Sequence, residues 1–193
     1  MRLKKALKNI DKILDYICDD IGIIHDGIAL ENEGILFCMV DVEPREEADH
    51  RLLMTTGLSN IDNNFLPDQL CGIELYMRVP KDWKFTYDED YEFGWPRKVF
   101  TEAADIIYSG RAVVRGSTIA FEHLINGSKH SAVAIGTNEN DYFVMQTKKG
   151  YIVYLNVQTI TNAEREQLIA GNDELLDKIC NLPYVDPSRA SLV

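Results

Sequence analysis

The chain lacks paired cysteines, glycine-rich phosphate loops and long apolar runs, and each absence removes a class of function. Its four cysteines, Cys18, Cys38, Cys71 and Cys180, lie far apart with no C-x-x-C spacing, so they outline neither a zinc site nor a thioredoxin-like motif. All four fall within apolar patterns and read as buried thiols, which points to a reducing cytoplasm. No segment approaches the roughly 18–20 apolar residues that cross a bilayer, and the N-terminus is amphipathic without the continuous apolar core of a signal peptide. No membrane association is expected. The sequence holds no G-x-G-x-x-G and no Walker signature, and Gly127-Ser128-Lys129 reverses the end of that signature without its first glycine.

Catalytic constellations are also missing. His25, His50, His123 and His130 stand in no H-E-x-x-H or H-x-x-x-H arrangement, so no metal or cofactor is expected. Glu122 and His123 are adjacent, but neighbours on a strand point to opposite faces. No G-x-S-x-G elbow occurs, and Ser59 in Thr56-Gly57-Leu58-Ser59 lacks the preceding glycine spacing. Thr56-Gly57 reads instead as a turn in which glycine takes positive φ. No catalytic residue is assigned and the chain is expected not to be an enzyme.

Basic residues are scarce. Twenty Lys and Arg against 31 Asp and Glu leave a formal net charge of −11, a field that repels a phosphate backbone. Lys4, Lys5, Lys8 and Lys12 cluster, but opposite Leu3, Leu7, Ile10 and Leu14 at helical spacing, as a solvated helix face. Nucleic acid is therefore not an expected partner, whereas a basic protein is compatible with the charge.

What is present is a complete set of packing signals. The 193 residues, 46% hydrophobic, suit one domain with a proper core. Leu3, Ala6, Leu7, Ile10, Ile13, Leu14 and Ile17 predict one buried helical stripe over residues 3–20, stopped by Gly22. Ile35 to Val42 is a continuous apolar run, predicting a strand covered on both faces. The polar group 43–49 turns the chain into a strand over 51–56. Ile73, Leu75, Met77 and Val79 alternate with Glu74, Tyr76 and Arg78, predicting a strand with one face in the core and the other wet or binding. Pro96 opens a helix whose stripe of Val99, Phe100, Ala103, Ile106 and Ile107 runs to Gly110. Strands are predicted over 131–135, 142–147 and 151–157, most simply as a meander. Thr161 and Glu164 have capping-box spacing for a further helix, which Gly171-Asn172 interrupts before it resumes over 173–180. Residues 182–193, with Pro183 and Pro187, read as a loose tail after a single domain over 1–181.

Two places offer candidate contacts. Glu74, Tyr76 and Arg78 form the outward row of the 73–79 strand. Tyr87-Asp88-Glu89-Asp90-Tyr91-Glu92-Phe93 interleaves aromatics with four carboxylates, and aromatic anchors with a charged rim are what interfaces use. A solvated loop with its aromatics turned back onto the core is the alternative.

The order of segments resembles the Suppressor of fused domain family. The resemblance rests on Leu53-Met54-Thr55-Thr56-Gly57-Leu58-Ser59, on Glu74-Leu75-Tyr76 leading to Pro80 and Trp83, on Trp95-Pro96, on Gly116-Ser117-Thr118-Ile119, and on Ile160-Thr161 followed by Glu164, Gly171 and Leu175-Leu176. It spans roughly residues 30–181. Many relatives carry Gly-His-Thr-Ile where this chain has Ser117, so no imidazole chemistry is expected there. The resemblance implies an α+β single domain with a central mixed, mostly antiparallel sheet and helices packed on it. It implies a non-enzymatic protein-binding role of the short bacterial type: an immunity protein that neutralises a toxin domain, or a regulator that sequesters a peptide by strand addition. A hydrolase with an unrecognised site is the third reading.

Overall fold

The computed structural model describes residues 2–32, 35–61, 66–88, 94–122 and 125–193. Among the described residues, four α-helices and eight strands follow in the order α1 (Arg2–Tyr16), β1 (Gly22–Asn32), β2 (Ile35–Pro44), β3 (His50–Thr56), β4 (Leu70–Pro80), α2 (Trp95–Tyr108), β5 (Thr118–Ala120), β6 (His130–Gly136), β7 (Val144–Thr147), β8 (Gly150–Thr161), α3 (Asn162–Ile169) and α4 (Asp173–Cys180). A π-helical turn, Ile17–Ile21, joins α1 to β1. The strands make one sheet in the order β1-β2-β3-β4-β8-β6-β5, with β7 also paired to β8. Every pairing is antiparallel except β4 with β8. The fold is therefore the α+β architecture expected, with a mixed, mostly antiparallel sheet.

Strand parity explains the layers. Ile73, Leu75, Met77 and Val79 of β4, with Leu155 and Val157 of β8, join Trp95, Val99, Phe100, Ala103 and Ile107 of α2 in the largest core. The alternate residues face the other way, where α1 contributes Ile13 and Ile17 over Val40, Val42, Leu52, Met54, Tyr76, Ile152 and Tyr154. Farther along that face, α4 sets Leu175, Leu176, Ile179 and Cys180 on Ala132, Ala134 and Ile160. Both faces of the central strands are thus covered, as the apolar run of β2 predicts. For β4 this corrects the expected wet face.

Two further expectations are corrected. The last three long strands do not form a meander. Residues 150–153 of β8 pair with β7 and residues 156–161 with β6, while β4 occupies the other edge. β6 and β7 therefore lie end to end along β8, because the 137–143 segment carries the chain past β6 and not back beside it. The C-terminal segment is also tied down. The Val185 N–H donates to the Arg78 carbonyl, Val185 is buried in the main core, and Arg189 donates to both Glu164 oxygens and the Thr159 carbonyl. The capping box is present as read: Glu164 accepts from the Thr161 N–H while the Thr161 hydroxyl accepts from the Glu164 N–H. Among the described residues no helix is long and apolar enough to cross a membrane.

Candidate protein-binding surface

The three outward residues of β4 are buried: Glu74 is 0%, Tyr76 1% and Arg78 7% exposed. The Glu74 carboxylate accepts from the Thr55 hydroxyl at 2.8 Å, the Ser59 hydroxyl at 2.7 Å, and the N–H groups of Gly57, Leu58 and Ser59 at 2.8, 3.2 and 3.1 Å. Burial pushes its pKa above the ordinary carboxylate range, and the Ser59, Thr55 and Gly57 donors pull against that shift. Gly57 makes the cradle possible. Its φ of 111° turns the chain back onto β4, and an added Cβ would meet Ile10 and the Leu36 carbonyl at 3.1 Å. Tyr76 packs edge-on to Phe143 at 5.2 Å. Arg78 makes two 2.6 Å bonds to Asp141, the bidentate geometry that satisfies a nearly buried guanidinium. Glu74, Tyr76 and Arg78 hold the second face of the sheet together and present almost nothing to solvent.

The acidic-aromatic loop is divided. Glu89, Asp90, Tyr91, Glu92 and Phe93 lie outside the described residues, as does His123. Tyr87 and Asp88 are exposed, Tyr87 at 58%. The Tyr87 hydroxyl donates to the Asp26 carboxylate of β1, a bond that raises its pKa above the usual phenol value. Its ring stands edge-on to Phe85 at 5.8 Å, and its carbonyl accepts from Arg97 of α2. The loop is therefore docked beside β1, with Phe85 turned to the core and Tyr87 turned outward.

β1 itself carries no strand signal strong enough to be read from sequence, yet it forms the first edge of the sheet. His25-Asp26-Gly27 looks like a turn. In the structure His25 is the bulged residue between the Ile24–Val42 and Asp26–Asp41 pairs, and its ring lies 2.7 Å from Glu43. A bulge with charged side chains blunts an edge against indiscriminate pairing while leaving it open to a chosen partner. Ile23, 63% exposed, lies one residue from the start of the same strand. The surface brought together is thus β1 with Tyr87 and Asp88, an apolar and aromatic patch beside carboxylates. Among the described residues, no group of three or more His, Cys, Asp and Glu side chains could hold a metal ion.

The described residues thus form a mixed sheet between helical layers, with the polar row of β4 turned inward and β1 at one edge. The family model of the Suppressor of fused protein (SUFU) matches residues 32–190. The chain belongs to the Suppressor of fused family. It also resembles a protein from Neisseria gonorrhoeae FA 1090 described as a SUFU homolog, with a TM-score of 0.56 and 18% identity over 98% of this chain and 96% of that one. A chain of the Sufu–Fu complex aligns with a TM-score of 0.54 and 14% identity over 88% of this chain and 80% of that one. Drosophila Suppressor of Fused aligns with a TM-score of 0.56 and 14% identity, over 96% of this chain and 51% of that longer one. No curated protein matches the chain. The matched segment runs past residue 181, in keeping with a C-terminal segment packed into the fold.

Proposed function

We propose that this chain is a non-enzymatic protein-binding domain of the short bacterial type, acting as a cytoplasmic immunity protein that neutralises a cognate toxin domain. The observation that carries the reading is the β1 edge with Tyr87 and Asp88 beside it, an aromatic anchor on an acidic surface at the rim of a family fold. The relative in the Sufu–Fu complex has a protein partner, and the Neisseria protein has nearly the same extent as this chain. With a net charge of −11, a basic toxin would be steered to its site, which speeds association and sharpens selection more than it deepens affinity.

The test is coexpression. A toxin domain encoded beside this chain should kill the host alone and fail to kill when this chain is present, and the two should co-purify. Survival unchanged by the chain, with no neighbouring product recovered, would refute the immunity reading. The edge of β1, with which no strand of the described residues pairs on its outer side, also favours a second reading, a regulator that takes up disordered peptides by strand addition. A broad set of clients in place of one toxin would select it.

A further inference from the structure

On the face of the sheet that α1 covers, the π-helical turn and β7 enclose a groove of about 560 Å³, lined by Tyr16, Asp20 and Ile21 on one side and residues 142–146 on the other. We propose that this groove is a second docking surface, and that its occupant is an extended segment of another protein carrying apolar or aromatic side chains and one lysine or arginine. The proposal takes the protein-binding reading as given and locates a contact that the β1 surface does not supply.

The groove's construction favours such a segment. β6 and β7 lie end to end along β8; β5 pairs with β6, and among the described residues no strand pairs with the outer side of β7. One position in the sheet beside β5 therefore has no strand; the Tyr16 hydroxyl takes the outward Val144 N–H, and the rest of that edge leaves main-chain groups at the groove's wall. Tyr142 leads into it with 89% of its surface exposed, an unusual cost for an aromatic ring with nothing to bury against. Phe143 and Met145 are half-buried beside it and pack on the core at their other ends, and methionine adapts its shape to an incoming side chain. Tyr16 closes the groove against β7, held by its stack on Tyr154 at 6.5 Å and by the Val144 N–H that its hydroxyl accepts from.

Charge selects the occupant. The π-helical turn buries Ile17 and Ile21 and exposes Cys18, Asp19 and Asp20 between them, and the Asp20 carboxylate lines the groove's α1 end. π-helical turns are frequent at functional sites. Lys148 and Lys149 are exposed at the tip of the β7–β8 turn, beyond the 142–146 side of the lining. Asp20 is the one carboxylate among the lining residues, so a partner's cation is favoured beside it.

The test is selection of random dodecapeptides displayed on phage against the full chain. The recovered sequences, made synthetically, are then titrated by fluorescence anisotropy against wild type, Tyr142→Ala, Asp20→Lys, Tyr87→Ala and the distant surface variant Tyr108→Ala. The recovered peptides should combine apolar or aromatic residues with a lysine or arginine. They should lose about tenfold or more in affinity on Tyr142→Ala and on Asp20→Lys, and nothing on Tyr108→Ala. Exchanging the peptide's cation for glutamate should restore binding to Asp20→Lys. Peptides that bind both groove variants as tightly as wild type would overturn the proposal. If they fail on Tyr87→Ala instead, the β1 surface is the binding site and the protein-binding reading survives without the groove. Recovery of no peptide also overturns the groove, and coexpression then decides the protein-binding reading on its own. A concentration-dependent dimer in sedimentation velocity that Tyr142→Ala abolishes would assign the groove to a second copy of this chain and overturn the proposal.

Discussion

Replacing Glu74 tests whether a side chain in the outward register of a strand can act as the fold's anchor. Five donors converge on its carboxylate, three of them backbone N–H groups of residues 57–59. In Glu74→Ala the hydroxyls can turn elsewhere, and Thr55 already lies 3.3 Å from the Leu75 carbonyl. The three N–H groups cannot turn. Each orphaned buried donor costs about 1–3 kcal/mol, so the gross loss is about 3–9 kcal/mol. Relief of the buried charge offsets part of this, leaving about 3 kcal/mol, a large share of the roughly 5–15 kcal/mol that holds a domain together. Glu74→Gln keeps the volume and one acceptor oxygen. With that oxygen facing Gly57 and Ser59, its NH₂ opposes the Leu58 N–H and costs about 1–2 kcal/mol. Urea unfolding followed through the fluorescence of Trp83 and Trp95, whose rings meet edge-on at 6.2 Å, would report both values. The reasoning is refuted if Glu74→Ala unfolds within about 0.5 kcal/mol of wild type, or if Gln costs more than Ala. A pH series adds the sign. Since burial raises the pKa of Glu74 in the folded state, ionising it costs stability, so wild type should weaken relative to Glu74→Gln as pH rises from the ordinary carboxylate range through the raised value.

Four more outcomes follow, most of them from packing at the C-terminal half. Arg189→Ala leaves the fully buried Glu164 carboxylate without its cation and should cost about 3 kcal/mol, with faster proteolysis after residue 181; an unchanged cleavage rate would show that the segment is not held by this pair. His130 is buried beside the Arg189 guanidinium, and burial first and that charge second push its pKa below 6.5, against its bond to the Arg189 carbonyl and the nearby Glu164 and Asp186 carboxylates. Its contribution is therefore full above 6.5 and is lost as pH falls through the lowered folded value, so wild type should lose more stability on acidification than His130→Gln. Of the four cysteines expected to be buried, Cys18 is exposed and Cys180 buried; burial drives the Cys180 thiol up to about 12, so Ellman's reagent should label Cys18 at once and Cys180 only as the chain unfolds. A Cβ at Gly136 would stand 2.4 Å from the Cys180 sulfur; Gly136→Ala should cost about 2 kcal/mol, and Cys180→Ala should recover part of that.

Local signals carried much of the fold. The stripe of α1, Pro96 at the start of α2, the Thr161–Glu164 box and the Asn172 start of α4 are each set within one turn of chain, and each stands where the sequence places it. β1 was hidden because Gly22, His25-Asp26 and Gly27 break its alternation, and only pairing with β2 turns that break into a bulge. Of the candidate contacts, Tyr87 and Asp88 are exposed as an interface requires, while the β4 row is not. Asp20 and Tyr142 gave no signal, since the groove between them joins segments more than a hundred residues apart.

By itself the sequence determined the class of molecule: a chain with a full apolar core, no catalytic or metal-binding constellation to read, and the ordered motifs of one family. Those properties depend on residue type and short spacing, which survive without coordinates. Tertiary structure alone decided what the motifs are for. Thr55-Thr56-Gly57-Leu58-Ser59 and Glu74-Leu75-Tyr76 look like two separate motifs, and they are the two sides of one hydrogen-bonded cradle. A period-two pattern records only which residues share a face. Whether that face meets water depends on what packs across it, and here the placement of α1 and of the 137–143 segment turned a polar face inward.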